Sequence, residues 1–198
     1  MIPPTKHGLP ALVCISGLQK CIRRGMEREA MEFACELLHT SKSFLSMVCN
    51  RLELISHEDI DSLACPAIVP YVHTACEQAK AWFDLPNPGK SRMAIGNAIR
   101  LMCRVPKSRE GDHFQAAIGL GNLLEDKLPN IPDFVYDMHT HKGKQLGRGL
   151  EHFRDEGAKL IPSTHQDAYI EECYRLWRVR DGEKLKTEGT LFDGTPDS

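Results

Sequence analysis

Residues 81–109 read AWFDLPNPGKSRMAIGNAIRLMCRVPKSR, and this stretch decides between a nucleotide-binding fold and a helical one. The triplet Gly89-Lys90-Ser91 is typical of the end of a phosphate-binding loop. A complete loop also needs a glycine five residues before Gly89, where the chain has Asp84, and a buried strand ahead of it. The preceding VHTACEQAKAWF instead has the apolar spacing of a helix. The stretch therefore predicts a turn between two helices, and the chain has no complete Walker A motif.

Helical spacing of apolar residues extends over most of the chain on either side of this turn, and no convincing strand alternation interrupts it. Prolines and glycines mark the breaks between segments; Pro106, for example, ends the segment that precedes it. We predict an all-α fold of about eight helices packed as antiparallel pairs. The predicted helices cover residues 11–24, 27–39, 43–56, 66–83, 90–104, 111–124, 145–159 and 165–178.

The composition is that of an ordinary globular protein, with 41% hydrophobic and 26% charged residues. No apolar run approaches the roughly 18 residues of a membrane helix, and MIPPTKHGLP lacks the residue order of a signal peptide. We therefore expect a cytoplasmic protein with no membrane partner. The eight cysteines form no CxxC motif and lie mostly among apolar residues, which predicts buried free thiols rather than a disulfide framework.

Basic residues are clustered along the chain, although the formal net charge is only −2. Such clusters could contact nucleic-acid phosphates without sequence specificity; an ordinary solvated surface is the alternative. The aromatic content of 7% argues against a protein that binds single strands by base stacking. The first cluster comprises Lys90, Arg92, Arg100, Arg104, Lys107 and Arg109, the second Lys142, Lys144 and Arg148, and the third Lys20, Arg23, Arg24 and Arg28.

The densest group of potential metal ligands lies in the last third of the chain. Three imidazoles and a carboxylate, from Asp137, His139, His141 and His152, could bind zinc or another transition metal. A second interpretation is anion recognition, because Lys142, Lys144 and Arg148 flank glycines that let backbone amides approach a phosphate. A solvated loop is the third.

A second acidic and histidine-containing cluster, HEDID, occupies residues 57–61. Its carboxylates could hold a metal or act as acid and base, as in an HD-type phosphohydrolase. Such an enzyme needs further ligands from other helices, for which His73 and His113 are candidates. A polar helix end is the alternative interpretation. No Ser-His-Asp or Cys-His pattern has a local signature in the chain.

Four short motifs follow one another in the order found in a known family: ISGLQKCIR at 15–23, RLELISHEDI at 51–60, Pro88 followed by MAIGNA at 93–98, and VPKS at 105–108. Over roughly residues 12–120 the chain resembles the C-terminal helical domain of the RarA/MgsA family. These are clamp-loader-related AAA+ ATPases, and they include the Werner-helicase-interacting protein. The chain departs from the family pattern at His57, Asp61 and Arg109, and residues after about 128 do not follow it.

The resemblance implies a clamp-loader C-terminal-domain-like fold that drives oligomerisation, commonly to a tetramer. In the family this domain is attached to an ATPase module that acts at stalled replication forks and on single-strand-binding protein. Because that module is missing, we expect no ATP hydrolysis by this chain alone and no cofactor. Met1 and the additional C-terminal region favour a stand-alone relative.

These inferences combine into one expected organisation. Residues 1–127 form the family-like helical domain, 128–180 a histidine- and glycine-rich helical extension packed on it, and 181–198 a flexible tail. The expected function is a non-enzymatic oligomerisation or adaptor domain related to replication–recombination AAA+ proteins. Its expected partners are further copies of itself, DNA, and replication proteins such as single-strand-binding protein or an ATPase in trans. The alternative is a metal-dependent hydrolase or phosphate-binding enzyme that uses His139, His141 and His152.

Overall fold

The computed structural model describes residues 2–84, 86–87, 89–163 and 167–190, with the backbone alone for 183–190. Within these ranges the regular structure is helical and no β-strand occurs, so the predicted all-α fold is confirmed. Each of the first six helices begins and ends within two residues of its predicted bounds. They are α1 Ala11–Arg23, α2 Glu27–Leu38, α3 Lys42–Glu58, α4 Ile68–Trp82, α5 Gly89–Arg104 and α6 Glu110–Glu125.

The core lies between helices α1 to α5, which pack in pairs: α1 on α2, α3 on α4 and α4 on α5. The apolar stripe of each helix supplies its buried side chains, as the periodicity predicts. Helices α1 and α2 pack closely at Gly17 of α1, where a Cβ atom would stand 2.6 Å from the Phe33 ring of α2. The largest fully buried side chains are those of Leu18, Ile22, Leu37, Leu45, Val48, Leu52, Ile55, Ile68, Val72, Ile95, Ile99 and Met102.

Contacts between α3 and α4 show directly that this pair is antiparallel. Lys42, at the start of α3, forms an ion pair with Asp84, just after the end of α4. Cys49 and Cys76 meet in the middle of the pair, and Glu53 contacts His73 further along α3. Residue numbers therefore rise on one helix as they fall on the other, which is the arrangement expected of helices joined by a short connection.

The chain divides into two compact units, Met1–Lys127 and Leu128–Ser198. The second unit contains a 3₁₀ turn at Asp133–Val135, the short helices α7 His141–Gln145 and α8 Leu150–His152, a π-helical turn at Phe153–Gly157, and α9 Ile170–Thr190. None of the described helices is both long and apolar enough to cross a membrane. The predicted packing of residues 128–180 on the first unit stays a prediction.

Two helix predictions in the second unit are wrong in their bounds. The continuous helix predicted at 145–159 is interrupted because Gly147 has a φ of 69°, which a helix does not accommodate, and helix resumes only at Leu150. The helix predicted at 165–178 begins at Ile170 and continues to Thr190, through residues assigned above to a tail. His165, the predicted start of that helix, and residues 191–198 lie outside the described residues.

Candidate functional site: a buried charged cluster and an exposed apolar helix

A cluster of charged and polar side chains joins the C-terminal ends of α1 and α3 around Asp59. The Asp59 side chain is only 1% exposed. The Arg23 guanidinium donates through Nε to Asp59 Oδ1 at 2.7 Å, and this bond raises the pKa of Arg23. Gln19 Nε2 donates to Asp59 Oδ2 at 2.8 Å. Both carboxylate oxygens of a nearly inaccessible residue are therefore satisfied, as burial of a charge requires.

Glu58 extends this cluster to the residues that precede α6. Its Oε1 accepts from Nη2 of Arg23 and from Nη2 of Arg109, each at 3.0 Å, and its Oε2 accepts from Gln19 at 2.9 Å. Arg109 also forms an ion pair with Asp112, in the first turn of α6. We call this set, Gln19, Arg23, Glu58, Asp59 and Arg109, the Asp59 cluster. It ties α1, α3 and the start of α6 together.

Backbone hydrogen bonds reinforce the Asp59 cluster where the chain leaves α5. Ile60 and Lys107 form an isolated antiparallel bridge. The Asp61 amide donates to the Pro106 carbonyl at 3.1 Å, and the Ser108 amide donates to the Asp59 carbonyl at 3.2 Å. The residues that carry the family resemblance, Arg23, Glu58–Ile60 and Pro106–Ser108, thus come together in space. Sequence spacing alone could not show this, because the partners lie 35 or more residues apart in the chain.

Most of the first basic cluster is paired within the protein. Arg100 and Arg104, on α5, both bind Glu27 of α2, with Arg104 Nη2 at 3.1 Å from Glu27 Oε2. Lys107 Nζ donates to the carbonyls of Cys103 and Val105 at 3.1 and 2.7 Å, and its burial lowers its pKa. Arg109 belongs to the Asp59 cluster. Over the described ranges, Lys90 and Arg92 have no ion-pair partner.

The second basic cluster lies in the second unit and also has local partners. Arg148 donates to Asp133 Oδ2 at 2.6 Å and to the Tyr136 carbonyl at 2.7 Å. Lys142 Nζ stands 4.0 Å from the centroid of the Tyr136 ring, whereas Lys144 is exposed. Arg148 therefore stabilises the turn at residues 133–136. The predicted anion site around Lys142, Lys144 and Arg148 stays a prediction.

The four predicted metal ligands of the second unit are brought together only in part. His139 Nδ1 lies 3.0 Å from Asp137 Oδ2, and the hydrogen bonds from His139 hold the pKa of Asp137 below its usual value. The His139 ring meets Phe153 edge-on, and His152 Nδ1 is buried without a hydrogen-bond partner. His141 begins α7. Over the described residues, no three of these four place their ligand atoms within 4.8 Å of one another.

Gly143, one of the glycines that suggested a phosphate-binding loop, has a different structural role. A Cβ atom at this position would lie 1.8 Å from the Asp137 carbonyl oxygen, so only glycine fits beside that backbone. The amide of Gly143 donates to Thr140 Oγ1 at 3.0 Å, which caps α7. The glycine thus allows close packing of the protein on itself.

Part of the HEDID segment lines a cavity, and over the described residues it forms no three-ligand group with His73 or His113. His57, Asp61 and His113 contribute to the lining of a cavity of about 740 Å³ between the end of α3 and the start of α6. Asp61 Oδ1 accepts from the amides of Leu63 and Ala64, each at 3.0 Å, and so stabilises the turn after α3. His73, the other suggested ligand, contacts Glu53 instead.

Helix α6 is the feature that the sequence interpretation missed. Its one buried residue is Gly121. The exposed fractions of its large apolar residues range from 52% to 73%, for Phe114, Ile118, Leu120, Leu123 and Leu124. The signal was present in FQAAIGLGNLLE, where apolar residues surround the helix instead of forming one stripe. Helices that are apolar on all sides are normally buried, whereas α6 leaves its large apolar side chains mostly exposed in this unit.

The chain is similar to replication-associated recombination protein A of Bacillus subtilis (strain 168). The two are 26% identical over 180 residues, which is 89% of this chain and 38% of the relative. The chain therefore spans well under half of that protein's length. A scan against models of known protein families finds no match.

The extent of this similarity corrects one expectation. An alignment that covers 89% of a 198-residue chain cannot be contained within residues 1–127, so it continues into the second unit. The short motifs were found only within roughly residues 12–120, so residues after about 128 were expected to lie outside the resemblance.

Proposed function

We propose that this chain is a helical assembly domain of a replication–recombination protein, and that copies of it associate through α6. The observation that carries the proposal is the exposure of five large apolar side chains on one helix. An isolated exposed apolar residue is ordinary on a protein surface, but a continuous apolar helix is characteristic of an interaction surface.

The apolar surface of α6 is large enough to support association. Complete burial of a large aliphatic or aromatic side chain contributes about 1.5–3 kcal/mol. In a two-fold symmetric pair the same five residues act from both copies, so ten side chains contribute. Because these side chains are 52–73% exposed in the single chain, burial of what remains exposed on all ten would contribute about 10–20 kcal/mol. This is comparable with the roughly 4–15 kcal/mol of lost translational and rotational free energy, which supports a second copy of the chain as the partner of α6.

The Asp59 cluster supports this proposal because it fixes where α6 begins. Arg109 precedes α6 and binds Glu58 at 3.0 Å, while Asp112, in the first turn of the helix, forms an ion pair with Arg109. A surface held by a folded scaffold loses less conformational freedom on binding than a mobile one. We infer that the cluster presents α6 to its partner in a preformed orientation.

The link to replication and recombination rests on the similarity to a protein of that name and on the motifs that converge at the Asp59 cluster. The expectation that single-strand-binding protein and an ATP-hydrolysing protein in trans are partners comes from the resemblance to the family alone. We include these two proteins in the proposal as partners of the assembled domain. The proposed role of this chain is to assemble copies rather than to catalyse a reaction.

Association through α6 is tested by substitution and light scattering. The Ile118→Gln, Leu123→Gln variant should have a lower molar mass than the unmodified chain at the same micromolar concentration. The matched control is Leu12→Gln, Val13→Gln, which changes two exposed apolar residues of α1 that are 63% and 59% exposed. Circular dichroism checks that both variants remain helical. An unchanged mass for the α6 variant would overturn the proposed interface.

A further inference from the structure

Three potential metal ligands meet on the surface formed by α3 and α4. His73 and Glu77 are four residues apart on α4, so both project from one face of that helix. Glu53 reaches them from α3, with its Oε1 3.1 Å from His73 Nδ1. One ligand atom from each of the three residues lies within 4.8 Å of the other two. Two helices thus supply one imidazole nitrogen and two carboxylate groups to a common point.

We propose that Glu53, His73 and Glu77 bind a divalent transition-metal ion, with zinc the best match. Zinc accepts imidazole nitrogen and carboxylate oxygen, and three protein ligands leave its fourth position to water. The imidazole disfavours calcium and magnesium, which prefer oxygen ligands. Two carboxylates and one neutral imidazole also balance the charge of a divalent ion.

The packing beneath the three residues holds their backbones in place. Cys49 lies one helical turn before Glu53 on α3, and Cys76 lies three residues after His73 on α4. Both thiols are buried, and each sulfur lies 3.8 Å from the carbonyl oxygen of the other cysteine. Neither sulfur belongs to the three-ligand group formed by Glu53, His73 and Glu77. The site is therefore one of nitrogen and oxygen ligands on a rigid helix pair.

Lys80 is the group that a metal ion must displace. Its Nζ donates a hydrogen bond to Glu77 Oε1 at 2.8 Å. The ammonium group thus compensates the carboxylate when no ion is bound. Both side chains are partly exposed, at 32% and 55%, so Lys80 can move into solvent when a metal binds. Removal of the lysine charge should strengthen metal binding.

Isothermal titration of the full chain with zinc chloride tests the site. One equivalent should bind, and His73→Ala or Glu77→Gln should weaken binding by at least about tenfold, the loss typical when the surroundings of a metal are disturbed. Lys80→Gln should bind zinc more tightly than the unmodified chain. His7→Ala is the matched control, because His7 contacts one carboxylate, Glu36, at 2.6 Å and belongs to no three-ligand group in the described residues. This variant should bind zinc normally.

Two titration results would overturn the site: no zinc binding by the unmodified chain, or undiminished binding by His73→Ala. The second result would place the ion on thiols or on other histidines. Glu77→Gln preserves the shape of a side chain that is 55% exposed, and circular dichroism checks that the variant remains helical. Perturbation of the His73 imidazole resonances by zinc provides an independent measurement, and unchanged resonances would contradict the proposal.

Discussion

Helices α5 and α6 each have sixteen residues and are joined by a five-residue link, yet the protein uses them in opposite ways. Seven residues of α5 are buried, whereas α6 buries only Gly121. Composition does not explain this difference, because α6 is on average the more hydrophobic helix. What differs is how the apolar residues are arranged around each helix.

The apolar residues of α5 form one stripe, with arginines on the opposite side, so a single chain can bury the stripe and solvate the rest. Those of α6 surround the helix, and its contact with α3 in this unit covers little of it. A helix of the first kind completes a core, and one of the second kind needs further partners. The comparison shows that α1 to α5 form the core of the unit, and the exposure of α6 supports the proposal that α6 assembles the domain.

The largest expected effect tests the two helices with the same substitution. Ile99 of α5 is fully buried, and Ile99→Ala should lower the free energy of unfolding by about 4 kcal/mol because it leaves a cavity in the core. Ile118 of α6 is 65% exposed, and Ile118→Ala should change it by less than about 0.5 kcal/mol. Urea unfolding of dilute protein measures both. Equal losses would contradict the distinction between α5 and α6.

A somewhat smaller effect tests whether the start of α6 is held in place by charge. Asp59→Ala leaves Arg23 and Arg109 without this buried carboxylate and should destabilise the fold by about 3 kcal/mol, the lower end for a buried pair, because Arg23 is partly exposed. Thermal or urea unfolding provides the measurement. Glu32→Ala, in the exposed Arg28–Glu32 pair, is the control and should cost less than about 0.5 kcal/mol. A similar cost for both would show that the Asp59 cluster is not structural.

The smallest expected effect is on the salt dependence of DNA binding, and it compares basic residues at the two ends of α5. Lys90 and Arg92 have no ion-pair partner in the described residues, whereas Arg100 and Arg104 are bound to Glu27. If the domain binds forked DNA, Lys90→Gln, Arg92→Gln should reduce the slope of log affinity against log salt by about 2. Arg100→Gln, Arg104→Gln should reduce it less. The two variants can be compared by fluorescence anisotropy at several salt concentrations, and a greater loss from the second would reverse the assignment.

Sequence periodicity was sufficient for α1 to α5 because each carries a regular apolar stripe bounded by glycine, proline or polar residues. The bounds of α6 were also predicted within two residues, although its apolar residues form no single stripe. Periodicity failed at residues 145–159, where the left-handed conformation of Gly147 interrupts the helix although the apolar spacing continues. Sequence periodicity also could not predict the role of Arg109. Its partner Glu58 is 51 residues away, and sequence alone presented this arginine as part of a basic surface.

The interpretation of Gly89-Lys90-Ser91 shows what the sequence did establish. The helical segment before it and Asp84 at the first glycine position predicted a turn between two helices, and the structure has α4 and α5 in those places. Pro88, which contributed to the resemblance, lies outside the described residues. Burial of α5 and exposure of α6 were not predicted, because the number of partners around a helix depends on the whole fold.

Sedimentation equilibrium of the unmodified chain at tens of micromolar tests most directly whether α6 assembles the domain. The chain has a mass of 22.3 kDa. Association through α6 predicts a mass that is a whole-number multiple of this value and that falls towards it on dilution. A mass of 22.3 kDa throughout that range would contradict the account, because the apolar surface of α6 would then remain in water without a partner.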